Sequence, residues 1–360
     1  MTSFISEIDK LSCMHRSEVF PQACILRSNQ LQACVETNAV PKKINYAFFK
    51  ITSTCNSDCA YCEHAISRSK DKVSISLDDI KGVIRQLGEF GVTACSLSGG
   101  EPLVYGYIDE AVAEMKSYGI EPILLTNGIL LPQKIEQLYN AGLRYVIMSL
   151  DSFEPAHYSK TRGVAFDAVM NAYNCMVKFK NRHSDFIFRI TTVISRENLN
   201  DAVAVVERAD SDGVGVQFTP YHNFINKNDD MGVHDAEALN KLVRQLIDLK
   251  LHGKLICNSQ EYLNFFGQFF QTGKRVPDNY QCKCGYNAVY IRSNLDVRSC
   301  WSTSLPSLGN LKKNSLSGIW NSEEYSVQRQ KMLHCNCEGC WLLCTAEFNI
   351  HHEKYLKVQV

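Results

Sequence analysis

The sequence predicts an α/β protein: an incomplete (β/α)6 barrel of the TIM type, followed by a small cysteine-rich α+β domain. Between about residues 45 and 256, six short apolar runs alternate with longer amphipathic stretches, which is typical of parallel strands joined by helices. Beyond residue 257 the apolar runs shorten and cysteines crowd together. We therefore expect an N-terminal leader over 1–44, the barrel over 45–256 and the cysteine-rich domain over 257–360.

The predicted strands and helices follow from the spacing of apolar residues. The six strands are NYAFFKITS from Asn45, TACSLS from Thr93, PILLT from Pro122, YVIMSL from Tyr145, IFRITTVIS from Ile187 and VGVQFTP around Gly215. Between them apolar residues recur at helical spacing, as in LDDIKGVIRQLGEFG. Six units leave the barrel open on one side. In barrels of this general type the chemistry lies at the carboxyl ends of the strands, so we expect the site there.

Composition and charge limit which partners the protein can bind and in which compartment we expect it. The chain has 360 residues, is 45% hydrophobic, and carries 38 basic and 38 acidic side chains. This neutral balance gives no broad electrostatic surface for nucleic acid or for an anionic membrane. No apolar run reaches the length of a membrane span, and MTSFISEIDKLSCMHRSEVF lacks the apolar centre of a secretory signal. We predict a cytoplasmic protein, in which clusters among the 16 cysteines bind metal or act in catalysis.

The first cysteine cluster directly follows the first predicted strand. It reads Cys55-Asn-Ser-Asp-Cys59-Ala-Tyr-Cys62 and stands where a barrel of this type keeps its site. Thiolate sulfur is the usual ligand of iron–sulfur clusters, and three thiolates can hold three irons of a four-iron cluster. The fourth iron then keeps an open position, as a catalytic metal requires. A zinc site is the alternative, with His64 as its fourth ligand.

This loop resembles the cluster motif of the radical S-adenosylmethionine (SAM) superfamily, and further motifs follow in the family's order. Ser98-Gly-Gly-Glu-Pro102 comes after the second strand, Thr126-Asn-Gly128 after the third and Ser149-Leu-Asp151 after the fourth. The resemblance implies that these strand ends hold SAM, with Tyr61 beside adenine and Arg189 near the methionine carboxylate. The implied cofactor-binding residues are Tyr61, Gly99, Gly100, Glu101, Pro102, Thr126, Asn127, Ser149, Asp151 and Arg189.

The resemblance also implies an activity. SAM would bind the open iron of a [4Fe–4S] cluster and be cleaved reductively to methionine and a 5′-deoxyadenosyl radical, which removes hydrogen from a substrate. Such an enzyme needs an external electron donor such as flavodoxin or ferredoxin. The cofactor carries the difficult chemistry, while the protein orients and shields it.

The C-terminal cysteines resemble the auxiliary-cluster domain called SPASM, or its shortened form, Twitch. They occur in Cys282-Lys-Cys284, in Ser-Cys300-Trp and in Cys335-Asn-Cys337-Glu-Gly-Cys340-Trp-Leu-Leu-Cys344. The resemblance implies that one auxiliary cluster is held by Cys284, Cys300, Cys337 and Cys340, with Cys344 able to replace one of them. The family's hairpin carries Gly five residues before the second cysteine, where this chain has Leu295. Seven thiols are too few for two complete clusters, and a zinc ribbon remains the alternative.

The substrate and the fate of its radical stay open at this point. Small molecules (sugars, aminocyclitols, nucleosides) and peptides are both candidates. We favour oxidation or bond formation assisted by the auxiliary cluster, with His222 placed to take a proton. An epimerase would instead need a hydrogen-donating thiol, for which Cys95 and Cys257 are the candidates. An iron–sulfur or zinc protein without enzymatic activity is the alternative of another class.

Overall fold

The computed structural model describes residues 22–62, 75–222, 231–271, 276–301, 305–337 and 340–357. His64, the alternative zinc ligand, lies outside these residues. All six predicted barrel strands are confirmed, and three more strands follow in the cysteine-rich part. The strands are β1 Tyr46–Thr52, β2 Ala94–Gly99, β3 Glu121–Thr126, β4 Tyr145–Ser149, β5 Ile187–Ile194, β6 Gly215–Pro220, β7 Ala288–Ile291, β8 Asp296–Arg298 and β9 Gly309–Asn310.

Helices connect the strands and cover one side of the sheet. They are α1 Gln22–Thr37, α2 Leu77–Glu89, α3 Ile108–Ser117, α4 Leu131–Asn140, α5 Pro155–Thr161, α6 Phe166–Arg182, α7 Ala202–Ser211, α8 Ala236–Leu251, α9 Gln260–Asn264, α10 Phe266–Gln271, α11 Cys284–Asn287, α12 Leu316–Trp320, α13 Glu323–Leu333 and α14 Leu343–Lys357. Short 3-10 turns lie at Pro102–Val104 and Leu199–Asp201. Among the described residues, no helix is long and apolar enough to cross a membrane.

The strands form a single sheet in the order β6-β5-β4-β3-β2-β1-β7-β8-β9. Neighbours from β6 to β1 are parallel, as expected of βα units. β7 adds to the far side of β1, also in parallel, and β8 and β9 continue antiparallel. The predicted α/β class is therefore confirmed. The cysteine-rich part extends the sheet of the barrel, and the boundary at residue 257 stays a prediction.

Side chains alternate between the two faces of the sheet. Phe49 and Leu97 point outward into the apolar layer that Ile84 of α2 completes, and all three are fully buried. Tyr46 and Ser96 point inward, where the phenol and hydroxyl oxygens lie 2.6 Å apart. The inner face thus carries polar side chains beside an apolar cluster that includes Ile123 and Tyr145.

The two longest of the helices that the sequence analysis did not place are α6 and α1. α6 buries Val169, Tyr173, Met176 and Phe179, whose spacing of three and four residues predicts a helix. α1 lies within the predicted leader and packs on the cysteine-rich part. Just beyond its end, Asn38 accepts a hydrogen bond at 3.2 Å from the Tyr286 hydroxyl.

Candidate active site

The loop after β1 holds the three clustered thiols. Cys55 and Cys62 are half-buried and Cys59 is 9% exposed. The Cys62 N–H donates to the Cys59 carbonyl at 3.1 Å, which folds the end of the loop into a turn. Burial raises the pKa of the Cys55 thiol to about 11, a hydrogen bond from the Ser57 N–H lowers it, and the neighbouring thiols add to the rise. A thiol of this kind ionises readily only when a metal takes the place of its proton.

The loop after β2 is hydrogen-bonded to the end of β1 and to the start of the cluster loop. The N–H groups of Gly100 and Glu101 donate to the carbonyls of Thr52 and Thr54 at 2.9 and 2.8 Å. A Cβ on Gly100 would lie 2.3 Å from the Thr54 carbonyl oxygen and 2.9 Å from the Cβ of Cys55. A Cβ on Gly99 would lie 2.3 Å from the Thr52 oxygen. These glycines therefore permit close approach of two loops, in addition to any room they leave for SAM.

Glu101 is directed into the protein. Its carboxylate accepts hydrogen bonds from the Leu103 N–H at 3.0 Å, the Thr126 hydroxyl at 2.6 Å and the Asn127 N–H at 2.7 Å. Only 1% of the residue is exposed, and burial raises the pKa of its carboxyl group. Pro102, also buried, begins the 3-10 turn that follows. Glu101 thus joins the ends of β2 and β3, and direct contact with cofactor stays a prediction.

Asn127 connects the end of β3 to the cluster loop. Its side-chain amide donates to the Asn56 side chain at 2.8 Å, and its carbonyl accepts from the Ile129 N–H at 3.1 Å. The Thr126 hydroxyl also accepts from the Gly128 N–H at 3.0 Å. The Thr126-Asn-Gly128 segment therefore supports the cysteine loop through its own side chains. That Thr126 and Asn127 contact SAM stays a prediction.

The Asp151 carboxylate is hydrogen-bonded by neighbouring groups of the protein. It is fully buried, and its carboxylate accepts two hydrogen bonds from the Arg162 guanidinium, one from the Val193 N–H and one from the Tyr61 hydroxyl. Four donors share the two oxygens. Direct contact between Asp151 and cofactor stays a prediction. The residue fixes Tyr61, whose hydroxyl lies 2.6 Å from it.

The remaining predicted cofactor residues lie on the inner face. Ser149 ends β4 and is half-buried. Arg189 lies opposite Ile147 of β4, two positions before the level of Ser149, with its guanidinium carbon 5.4 Å from the centre of the Tyr145 ring. Tyr61 is placed on the cluster loop as predicted. That these side chains contact SAM stays a prediction.

The structure gives the surroundings of the three predicted catalytic residues, whose roles stay predictions. Cys95 is fully buried and points outward into the apolar layer between sheet and helices. Cys257 is disulfide-bonded and in that state has no S–H to give. His222 accepts a hydrogen bond at Nε2 from the Trp341 N–H at 3.0 Å, so the nitrogen that would take a proton is engaged. His222 instead connects the end of β6 to the segment between Cys340 and Cys344.

The C-terminal thiols gather around the start of β7. Cys282, Cys284 and Cys300 are buried in one cluster, against which Cys335 packs. Burial raises the pKa of Cys284 far above its usual range, and Cys282, Cys300, Cys344 and Cys340 are near enough to add to the rise. Cys282, which the sequence analysis left out, therefore belongs to this group. Its Cys-x-Cys spacing was the signal that could have revealed it.

The hairpin before Cys300 keeps the turn that glycine would make. Leu295 takes φ +67°, a left-handed conformation that is rare for a bulky residue, although only 3% of it is exposed. The Asn294 side chain spans this turn by donating a hydrogen bond to the Asp296 carboxylate at 2.9 Å. Leu295 itself, and not the neighbouring Asn294, takes the left-handed conformation of this turn.

Both donor sets are made of thiols, which are the ligands that iron–sulfur clusters take. Three thiols follow β1, and three buried thiols with Cys335 beside them lie at the start of β7. In a four-iron cluster each thiolate binds a different iron. The residues present therefore fit iron–sulfur clusters.

Comparison with known proteins identifies two families in the chain. The radical SAM superfamily matches residues 49–209, and an iron–sulfur cluster-binding SPASM domain matches residues 282–341. An AdoMet-dependent heme synthase from Methanosarcina barkeri is 25% identical over 297 residues, covering 77% of this chain and 82% of that protein. A GTP 3′,8-cyclase from Alkaliphilus oremlandii is 36% identical over 138 residues, which span 37% of this chain and only 43% of the cyclase.

Solved structures show the same fold. SuiB from Streptococcus suis bound to S-adenosylmethionine superposes with a TM-score of 0.65 at 17% identity, covering 84% of this chain and 72% of SuiB. SuiB bound to its precursor peptide SuiA gives the same TM-score at 16% identity, over 88% and 73% of the two chains. The chain thus belongs to the radical SAM superfamily, with a [4Fe–4S] cluster and S-adenosylmethionine as cofactors and a C-terminal SPASM-type iron–sulfur domain.

Proposed function

We propose that this protein is a radical SAM oxidoreductase that removes a hydrogen atom from its substrate and completes an oxidation or a bond formation. Cys55, Cys59 and Cys62 would hold the first cluster, and Cys282, Cys284, Cys300 and Cys340 the auxiliary one. When bound, SAM and the first cluster supply the 5′-deoxyadenosyl radical, and the auxiliary cluster supplies a one-electron acceptor.

The observation that carries this proposal is the pairing of β7 with β1. The two strands are parallel, with Phe49 opposite Ile291. The cluster loop follows β1, while the short helix with Cys284 precedes β7 and Cys300 follows the next strand. The cluster loop therefore lies at the carboxyl end of β1, and Cys284 and Cys300 lie at its amino end. Tyr46 and Phe48, on the inner face of β1, pack against the buried cluster of Cys282, Cys284 and Cys300. A substrate over the inner face of β1 would thus lie between the radical and the acceptor.

Lys50 is a buried cation near the residue that follows Cys300. It lies on the inner face of β1 and is 8% exposed. Its Nζ is 5.8 Å from the centre of the Tyr290 ring and 5.6 Å from that of Trp301, the residue after Cys300. Lys50 would orient the substrate here, between the radical and the acceptor, and the aromatic rings would exclude water.

The placement of the cysteines disfavours epimerisation. An epimerase returns a hydrogen atom to the opposite face of its substrate and needs a thiol on the inner face for this. Cys95 faces the helices and Cys257 is disulfide-bonded. Oxidation needs no such donor, so it is the reaction that these residues support.

The substrate is proposed as a small molecule or a peptide. A small molecule can lie wholly over the inner face, beside Lys50. The likeness in fold to SuiB, which has been solved with its precursor peptide SuiA, supports a peptide as the second candidate. In either case an external one-electron donor such as flavodoxin or ferredoxin would reduce the first cluster.

Anaerobic cluster reconstitution with an assay for 5′-deoxyadenosine tests the proposal. We expect replacement of Cys55, Cys59 and Cys62 by Ala to abolish SAM cleavage and remove about half of the iron. Replacement of Cys284 and Cys300 by Ala should remove the other half, yet leave SAM cleavage without substrate intact. Cys175→Ala, in α6, is the matched control and should retain both. Protein that takes up zinc in place of iron, and forms no 5′-deoxyadenosine, would overturn the proposal.

A further inference from the structure

Ser57 lies inside the cluster loop, between two of the thiols that hold the first cluster. Only 6% of it is exposed. Its Oγ is 3.1 Å from the Sγ of Cys59, and its backbone N–H hydrogen-bonds to the Cys55 thiol. One residue therefore contacts two of the three sulfurs, through two different donors.

The direction of the side-chain bond follows from the chemistry of the bound state. Between a hydroxyl and a free thiol, either atom can donate. A cysteine that binds iron is a thiolate and has no hydrogen. With the cluster in place, the Ser57 hydroxyl is the donor and the Cys59 sulfur the acceptor.

Three other side chains of the loop contact neighbouring segments of the chain. Asn56 accepts from Asn127 at 2.8 Å, Asp58 packs where Gly163 has no side chain, and Tyr61 donates to Asp151 at 2.6 Å. These contacts fix the loop against its neighbours. Ser57, by contrast, has its hydroxyl on a ligand sulfur.

We propose that the Ser57 hydroxyl tunes the reduction potential of the first cluster by donating a hydrogen bond to the Cys59 thiolate. Reduction adds one negative charge to the cluster and its sulfurs. A donor to sulfur stabilises the reduced form more than the oxidised form, so it raises the potential. Burial strengthens the effect because little water screens it. Ser57 is thus a positioning and tuning residue, and the inference rests on the cluster and not on the proposed oxidation.

The test compares variants that differ in the hydroxyl alone. Ser57→Thr and Ser57→Val have nearly the same shape, and only threonine keeps the O–H group. Each holoenzyme is titrated anaerobically, and the EPR signal that changes on addition of SAM reports the first cluster. At a fixed potential, we expect the ratio of reduced to oxidised cluster to be about three- to tenfold lower in Ser57→Val, a tenfold change being 59 mV for one electron. Ser57→Thr should stay near the wild-type ratio.

Iron content separates tuning from loss of structure. We expect Ser57→Val and Ser57→Thr to bind as much iron as the wild type, since the backbone N–H to Cys55 is kept. Equal ratios of reduced to oxidised cluster in the two variants would overturn the inference. So would a lower ratio in both variants, because it would follow from the added methyl group. Formation of 5′-deoxyadenosine by the Ser57→Thr holoenzyme shows that the first cluster is assembled and binds SAM, so failure of the tuning inference is distinguishable from failure of the radical SAM activity.

Discussion

Asp151 and Arg162 form a buried bidentate ion pair: the two carboxylate oxygens accept from Nε and Nη2 of the arginine at 2.7 and 2.8 Å. At most 8% of either side chain is exposed. The pair lies beneath the cluster loop, where the Tyr61 hydroxyl joins it. We expect Asp151→Asn to lower the free energy of unfolding by about 3–5 kcal/mol, because it leaves the guanidinium buried without its counter-charge.

Anaerobic denaturant titration measures this loss, with Asp185→Asn as the control. Asp185 is 2.7 Å from Arg144, but this pair is exposed to solvent. The control should cost less than about 1 kcal/mol. Equal losses in the two variants would contradict a structural role for the buried pair.

A second prediction concerns the contact between the β2 and β1 loops. Gly100→Ala places a Cβ 2.3 Å from the Thr54 carbonyl oxygen, which cannot move without moving Cys55. We expect slower and less complete iron incorporation, measured after anaerobic reconstitution, and weaker SAM binding as a consequence. Gly106→Ala is the control, since nothing lies within 4 Å of its added Cβ. Unchanged iron content in Gly100→Ala would show that the cluster loop adapts to the added methyl group.

The barrel and the place of its site were predictable because both depend on short-range patterns. Apolar runs mark the strands, and the loop after a strand lies at the carboxyl end whatever the rest of the chain does. Strand alternation also carried information that the analysis did not use. Cys95 has the same parity as Leu97 and the opposite parity to Ser96, which places it on the helix side of the sheet.

The direction of the polar side chains was not predictable. A motif shows at which strand end Glu101 or Asp151 stands, but their partners come from elsewhere in the chain. Thr126 lies 25 residues after Glu101, and Arg162 lies 11 residues after Asp151 on a different element. The pairing of β7 with β1 was hidden for the same reason, since it joins residues about 240 positions apart and depends on the packing of the whole sheet.

Leu295 tests whether backbone strain or burial dominates in the auxiliary hairpin. A left-handed φ of +67° costs a bulky residue about 1–2 kcal/mol, which glycine would relieve. Removal of a buried leucine side chain costs about 2–5 kcal/mol. Burial should therefore win, and we expect Leu295→Gly to unfold at a lower denaturant concentration than the wild type.

Asn279→Gly is the matched control, because Asn279 also has a left-handed φ, of +59°, but its side chain is exposed. Its midpoint of unfolding should stay within the range of an ordinary surface substitution. If Leu295→Gly proved more stable than the wild type, the free-energy cost of the left-handed backbone would exceed the free energy gained by burying the leucine side chain.

The last prediction concerns Glu347 in α14, whose carboxyl group is buried and has a raised pKa in the folded protein. Burial raises its pKa to about 7, although it accepts a hydrogen bond from the Ser259 N–H at 2.7 Å. The ordinary value for Glu is 4.5, so the folded chain binds more protons than the unfolded chain between these two pH values. The free energy of unfolding therefore falls as the pH rises through this window, and the loss is complete above the folded pKa.

Glu347→Gln keeps an oxygen for the Ser259 N–H but does not titrate. We expect it to match the wild type at about pH 5 and to be more stable by about 1–3 kcal/mol at about pH 8. Anaerobic denaturant titrations at the two pH values measure the difference. Glu136→Gln, at an exposed pair with Arg182, should show no such gain. A wild-type stability that rises with pH over this window, unchanged by Glu347→Gln, would mean that Glu347 is ionised in the folded protein and stabilised by the nearby Lys250 and Lys354 charges.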